Sequence, residues 1–167
     1  MDKTYEPIAT QTLESAAASV TFSSIPQTYT DLVLVITPVV TTATTFAIRY
    51  NGVSTGTPYS ATILGGDGTS ATSTRVSSQN EIRISYFATS RSTNTGNIIV
   101  NIMNYANATT HKTNLSRDNY AAEGTGANVG LWRSTAAITQ IDLIPISGGS
   151  IINTGTVVTL YGIKAAA

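Results

Sequence analysis

At 167 residues the chain has the length of one domain whose folding removes roughly 70% of its unfolded surface from water. Only 11% of its residues are charged, against roughly 25% in ordinary soluble domains, and its nine basic and nine acidic residues cancel. Six arginines and three lysines scattered singly are not the basic footprint that nucleic acid or an anionic membrane surface requires. With no cysteine, disulfides, thiolate nucleophiles and Cys-ligated zinc are excluded.

Polar residues without charge carry the solubility, and threonine alone occurs 29 times. Zero net charge leaves no repulsion to hold copies apart, so association with neutral surfaces, including other copies of the chain, is expected. The opening M-D-K-T-Y-E-P has no apolar region of a signal peptide. No apolar run approaches the roughly 18 residues of a membrane helix. The expectation is synthesis in a cytoplasm without ordinary export, and no membrane partner.

In chain order, β-favouring runs predict strands over 7–13, 18–23, 31–37, 45–50, 59–64, 80–88, 97–104, 112–117, 127–133, 137–145 and 155–163, separated by Gly, Asn, Pro and Ser. The alanine-rich stretch 15–19 is too short for a helix and runs into Val20, Thr21 and Phe22. The pattern predicts an all-β, single-domain chain over 1–167, a jelly-roll-like antiparallel β-sandwich.

Pro26 ends strand pairing ahead of the third run, D-L-V-L-V-I-T at 31–37. In that run Leu32, Leu34 and Ile36 share one face while Val33 and Val35 share the other. An antiparallel sandwich covers only one face with core, so the second needs a cover. A loop or the N-terminal strand folded over it is one answer. A neighbouring subunit against Val33 and Val35 is the other, which makes those two valines the candidate subunit interface.

Asn51-Gly52 follows Phe46-Ala47-Ile48-Arg49-Tyr50 and signals a tight hairpin turn. Residues 65–79, G-G-D-G-T-S-A-T-S-T-R-V-S-S-Q, read as a long polar loop, a length that is uncommon unless functional. Residues 105–128 read as a second irregular region. The final strand runs almost to the C-terminus and leaves a three-alanine tail.

Residues for chemistry are sparse. His111 is the single histidine, and Ser116 and Asp118 are near it in sequence, but no G-x-S-x-G elbow presents a nucleophile. One histidine and no cysteine cannot furnish a His-based metal site, so no metal and no cofactor is expected. The nine acids do not cluster, and Asp142 alternates with Ile141 and Leu143 on an outward strand face. G-G-D-G-T-S lacks the lysine of a phosphate loop and the alternating acids of a calcium loop, which leaves a turn. Phe22, Phe46, Phe87 and Trp132 sit within strand patterns and are expected in the core. Tyr59, Tyr105 and Tyr120 flank loops and are candidates for ligand contact. The expectation is a protein that is not an enzyme and whose function is a surface.

The run Y-E-P-I-A-T-Q-T-L-E-S-A-A-A-S-V-T-F-S-S-I-P-Q-T-Y-T-D-L-V-L-V-I at 5–36 resembles the opening of a family of phage virion structural proteins found in cyanophages and other marine phages. The likeness continues through Arg49-Tyr50-Asn51-Gly52, L-G-G-D-G-T-S at 64–70, N-Y-A-N at 104–107, Lys112-Thr113, W-R-S-T-A-A-I-T-Q-I at 132–141 and the closing T-L-Y-G-I at 159–163. The resemblance implies a virion component and hands over no catalytic residue. In many relatives the module sits within a longer fibre chain. A stand-alone module of this size is instead similar to capsid decoration (cement) proteins, small β-rich oligomers that are often trimers.

The leading expectation is therefore a capsid decoration protein. It would be made in the host cytoplasm and located in the virion, with its own copies (a trimer favoured) and the major capsid protein or other virion proteins as partners. The alternative is a tail-fibre or tail-tip module that binds host surface glycan through the loops at 65–79 and 105–128.

Overall fold

The structure, a computed structural model, describes residues 4–86, 96–146 and 151–164. Every regular element among them is a strand: β1 (Tyr5–Thr12), β2 (Val20–Phe22), β3 (Asp31–Thr37), β4 (Phe46–Tyr50), β5 (Tyr59–Gly66), β6 (Ala71–Gln79), β7 (Ile82–Arg83), β8 (Asn97–Met103), β9 (Lys112–Tyr120), β10 (Gly124–Trp132), β11 (Ile141–Pro145) and β12 (Val157–Ile163). All pairings are antiparallel. They form an 8-stranded sheet in the order β1-β12-β3-β8-β9-β10-β5-β6 and a 4-stranded sheet in the order β2-β11-β4-β7.

Set aside the hairpins β5–β6 and β9–β10, and the remaining strands fall into a recognisable arrangement. Renumbered in chain order, the large sheet reads 1-8-3-6 and the small sheet 2-7-4-5. That is the paired Greek-key order of a jelly roll. Both hairpins are insertions in it, and both extend the same sheet beyond β8.

The expected long loop at 65–79 is largely β6, paired to β5 across a short turn. The expected irregular region at 105–128 contains all of β9 and the start of β10, the longest strands of the large sheet together with β6. Threonine favours a strand without needing an apolar stripe, and both segments pair through backbone ladders rather than through a visible hydrophobic pattern. Of the strand expected over 80–88, the described part, 80–86, forms a strand only at β7. Phe87 and the three-alanine tail lie outside the described residues.

Asn51 and Gly52 both take positive φ, 53° and 69°, as the dipeptide predicts. The turn does not close a hairpin, however: β4 and β5 enter different sheets. Its asparagine instead anchors the chain leading into β11. Asn51 Oδ1 accepts from the backbone N–H of Thr139 at 2.9 Å and of Gln140 at 3.1 Å, and its Nδ2 donates to the Ala137 carbonyl at 2.9 Å.

The core lies between the sheets. Leu32, Leu34 and Ile36 of β3 meet Ile98, Val100 and Ile102 of β8 and Val158 and Leu160 of β12 on one side, and Phe46, Ile48, Ile141, Leu143, Val20 and Phe22 on the other. Trp132 stands against the rings of Tyr50 and Tyr59, with centroids 5.5 and 6.2 Å away. Phe22, Phe46 and Trp132 are core residues as expected. Asp142 takes the outward face of β11, where it accepts from Thr21 Oγ1 at 2.7 Å.

Candidate assembly surface

β9 reads K-T-N-L-S-R-D-N-Y, and its burial alternates strictly. Alternation alone assigns Leu115 to the interior. The structure does the reverse: Lys112, Asn114, Ser116, Asp118 and Tyr120 are buried, while Leu115 is 45% exposed. β10 follows suit, burying Gly126, Asn128, Gly130 and Trp132 and leaving Val129 51% exposed. The inserted hairpin is inside out.

Its buried underside is held by specific polar bonds. Lys112 Nζ donates to the carbonyls of Thr110 at 2.8 Å and Thr135 at 3.1 Å, and burial pushes the ammonium's pKa down. Asn114 Nδ2 donates to Tyr50 Oη at 2.8 Å, and desolvation drives the Tyr50 phenol far above its ordinary pKa. Asp118 accepts from the Tyr86 N–H at 3.1 Å and from Asn128 Nδ2 at 3.3 Å.

Steric fit fixes the same choice of face. A Cβ at Gly130 would stand 2.3 Å from Ile82 Cγ2 and 2.5 Å from Asn114 Oδ1. One at Gly126 would stand 2.4 Å from Asp118 Oδ1 and 2.7 Å from Tyr86 Cβ. Only glycine fits where residues 82–86 cross the inserted strands.

A slip of one residue would turn every side chain of the hairpin over. It would bury Leu115, Val129 and Leu131 and expose the polar row together with Tyr120 and Trp132. Each aliphatic side chain buried in that arrangement would contribute about 1.5–3 kcal/mol, against the loss of two large buried rings. In the observed one, Asn114 Oδ1 and Asn128 Oδ1 find no hydrogen-bond partner among the described residues, at a cost of about 1–3 kcal/mol each. The observed face thus keeps Tyr120 and Trp132 inside, carries two unpartnered amide oxygens and leaves aliphatic groups outside.

Those groups continue across the sheet. Val33, Asn101, Leu115, Val129 and Thr62 stand in register on β3, β8, β9, β10 and β5. Val35, Ile99, Arg117, Ala127 and Leu64 form the adjacent row, and Leu64 is 48% exposed. The candidate pair Val33 and Val35 therefore belongs to this outer face. The N-terminal strand does not cover them, because β1 pairs edge-on with β12. Val33 is nonetheless only 7% exposed, flanked in register by Tyr161 and Asn101. Val35 is half-buried. The more open part of the face lies on β9, β10 and β5, strands that the sequence pattern had not marked as apolar outside.

The three candidate tyrosines require a correction. Tyr59 and Tyr105 are fully buried and Tyr120 is 6% exposed. Tyr59 Oη accepts from the Tyr50 N–H at 3.1 Å and donates to the Val53 carbonyl at 3.0 Å. Tyr105 Oη donates to the Pro26 carbonyl. Desolvation raises the pKa of both phenols. Tyr59 and Tyr120 take inward-facing positions on β5 and β9 and Tyr105 is buried in the turn after β8, so none of the three presents a contact surface.

His111 is exposed just before β9, whereas Ser116 and Asp118 are buried on its inner face. Seven residues of extended strand, roughly 23 Å, separate His111 from Asp118, so the fold does not bring the pair together. Asp67 caps its own turn: its carboxylate accepts from the N–H groups of Thr69 at 2.8 Å and Ser70 at 2.7 Å, bonds that hold it well below the usual carboxylate range. The turn expected at G-G-D-G-T-S is present. Among the described residues no group of three or more acidic or histidine side chains is placed to hold a metal ion.

No protein-family model matches the chain, and no curated protein matches it. Among solved structures, it is similar to a xylan beta-1,4-xylosidase from Bacillus halodurans C-125, at 8% identity over 80% of this chain and a TM-score of 0.26. The match spans 28% of the xylosidase chain. A superposition that loose carries no argument about activity.

Proposed function

We propose that this chain is a structural subunit of a phage virion, a capsid decoration protein that sits on the head shell as a homo-oligomer. The observation that carries the proposal is the inserted hairpin, which buries a polar row and holds Leu115 and Val129 at the surface beside Leu64. Aliphatic side chains grouped on one open sheet face suit a protein whose task is to be covered by another protein surface. The sequence likeness to phage virion structural proteins gives that task a setting. Its mechanism is mechanical: many copies, each with modest contacts, reinforce a shell through multivalency.

A reconstruction of intact virions of the phage that encodes the chain tests this directly. Copies in a regular array over the head are expected. Copies confined to the tail would replace decoration with the tail-fibre reading, and a particle without the chain would sink both. Glycan binding by a tail module has lost its proposed residues, since Tyr59, Tyr105 and Tyr120 are interior. Release of reducing sugar from host capsule, abolished by one Asp or Glu substitution, would overturn the non-enzymatic reading.

A further inference from the structure

We infer that the outer face of the large sheet closes against the same face of a second copy, related by a two-fold axis running along the strands between β8 and β9. This rests on the reading above only in taking that face to be an assembly surface.

Size is the first argument. Eight strands at about 4.8 Å spacing and some seven residues at about 3.3 Å give a face of roughly 900 Å². A stable interface takes about 800 Å² from each partner.

Self-complementarity is the second. The axis exchanges β8 with β9, β3 with β10, β12 with β5 and β1 with β6. Because the rows are in register, Val129 then falls over Val33 and Ala127 over Val35. Leu64 falls over Thr159. Arg75 reaches β1 beside the Tyr5 and Tyr161 rings, which already pair edge to face at 6.5 Å, a setting suited to a cation–π contact. Face-to-face packing at a shallow crossing angle is the ordinary way two twisted sheets bury apolar surface. An isologous contact of this kind closes as a dimer and uses up its own surface.

Charge gives the arrangement a signature. Arg117 of each copy lies next to the axis, and no carboxylate among the described residues projects from the central rows. The two guanidiniums repel, so salt should tighten the dimer by screening them.

Sedimentation equilibrium on the intact chain decides the matter. A dimer is expected, tightening as salt is raised. Val129→Asp and, independently, Leu115→Gln should each raise its dissociation constant, the first by about a hundredfold, with far-ultraviolet circular dichroism unchanged. Glu123→Gln, in the β9–β10 turn, should leave it unaltered. Because the chain has no cysteine, a Val35→Cys, Ala127→Cys double variant should cross-link into dimers with a short bismaleimide, and neither single variant should. A monomer at every concentration, a trimer, a dimer weakened by salt, or one indifferent to Val129→Asp overturns the inference. A monomer arrayed on the head would sink this inference and leave the decoration reading standing. A dimer missing from the particle would do the opposite.

Discussion

The large sheet is two half-sheets with opposite solutions to the same problem. In the jelly-roll half, β3, β8 and β12 bury Leu32, Leu34, Ile36, Ile98, Val100, Ile102, Val158 and Leu160 beneath a half-covered outer face. In the inserted half, β9 and β10 bury Lys112, Asn114, Ser116, Asp118 and Asn128 between Tyr120 and Trp132 and hold Leu115 and Val129 in the open. The first half is built for stability by apolar burial. The second adds shape and hydrogen bonds to the burial of Trp132 and β5's Tyr59 and Ile63, which leaves Leu115 and Val129 free to meet something else. Position in a sheet therefore says little about what a strand is for until its buried face is known.

The contrast makes graded predictions. Leu34→Ala in the jelly-roll half should cost about 2–5 kcal/mol, measured by urea denaturation, because the fully buried site cannot collapse between two sheets. A loss below about 1 kcal/mol would mean that the two halves are less different than their packing indicates. Gly130→Ala should cost about 1–3 kcal/mol, since its added methyl meets Ile82 and Asn114, both buried. No penalty there would show that the underside is loosely fitted.

Alkali probes the same underside. The pKa values of Tyr50, Tyr59 and Tyr105 are raised by burial, so the fold favours their neutral forms. The stability they contribute is fully present below the unfolded value near 10 and is lost as pH rises above it. Lys112, with its pKa lowered, acts in the opposite sense: it adds stability as pH rises from its depressed value toward about 10.4. For Tyr50 the expected loss is about 1.4 kcal/mol per pH unit above 10. Tyr50→Phe should flatten that slope in urea titrations across the alkaline range, and an unchanged slope would show that Tyr50 is not the controlling group.

The smallest effect is the most telling. Val129→Asp should change monomer stability by no more than about 0.5 kcal/mol. Val33→Asp, on the same outer face but 7% exposed, should cost about 1–3 kcal/mol. Equal costs at the two positions would erase the distinction between the closed and open halves of the face.

Much of this architecture is legible from residues alone. The runs at 31–37, 97–104 and 155–163 are dense in β-branched and aliphatic residues, and the structure has strands at each. The two-faced character of Leu32–Ile36 is legible too, since a period of two separates Val33 and Val35 from the core trio. The hairpins are where such reading fails. Residues 71–79 show threonine and serine with a single valine, a pattern shared by loops and by strands held through backbone pairing. Residues 112–120 show one leucine among polar residues, so a pattern rule points it inward. Tyr59 and Tyr105 flank turns, which suggests exposure, yet each hydroxyl finds a backbone partner inside.

Composition and period by themselves determined that this chain is all-β, neutral, and shaped around a core of alternating aliphatic positions, because those properties are local or additive. Which face of β9 and β10 turns inward was decided only in three dimensions. It depends on Tyr50, Ile82 and Tyr86, residues distant in the chain that supply the hydrogen bonds and the steric limits. An alternating strand has two possible faces of burial, and only the surface it packs against chooses between them.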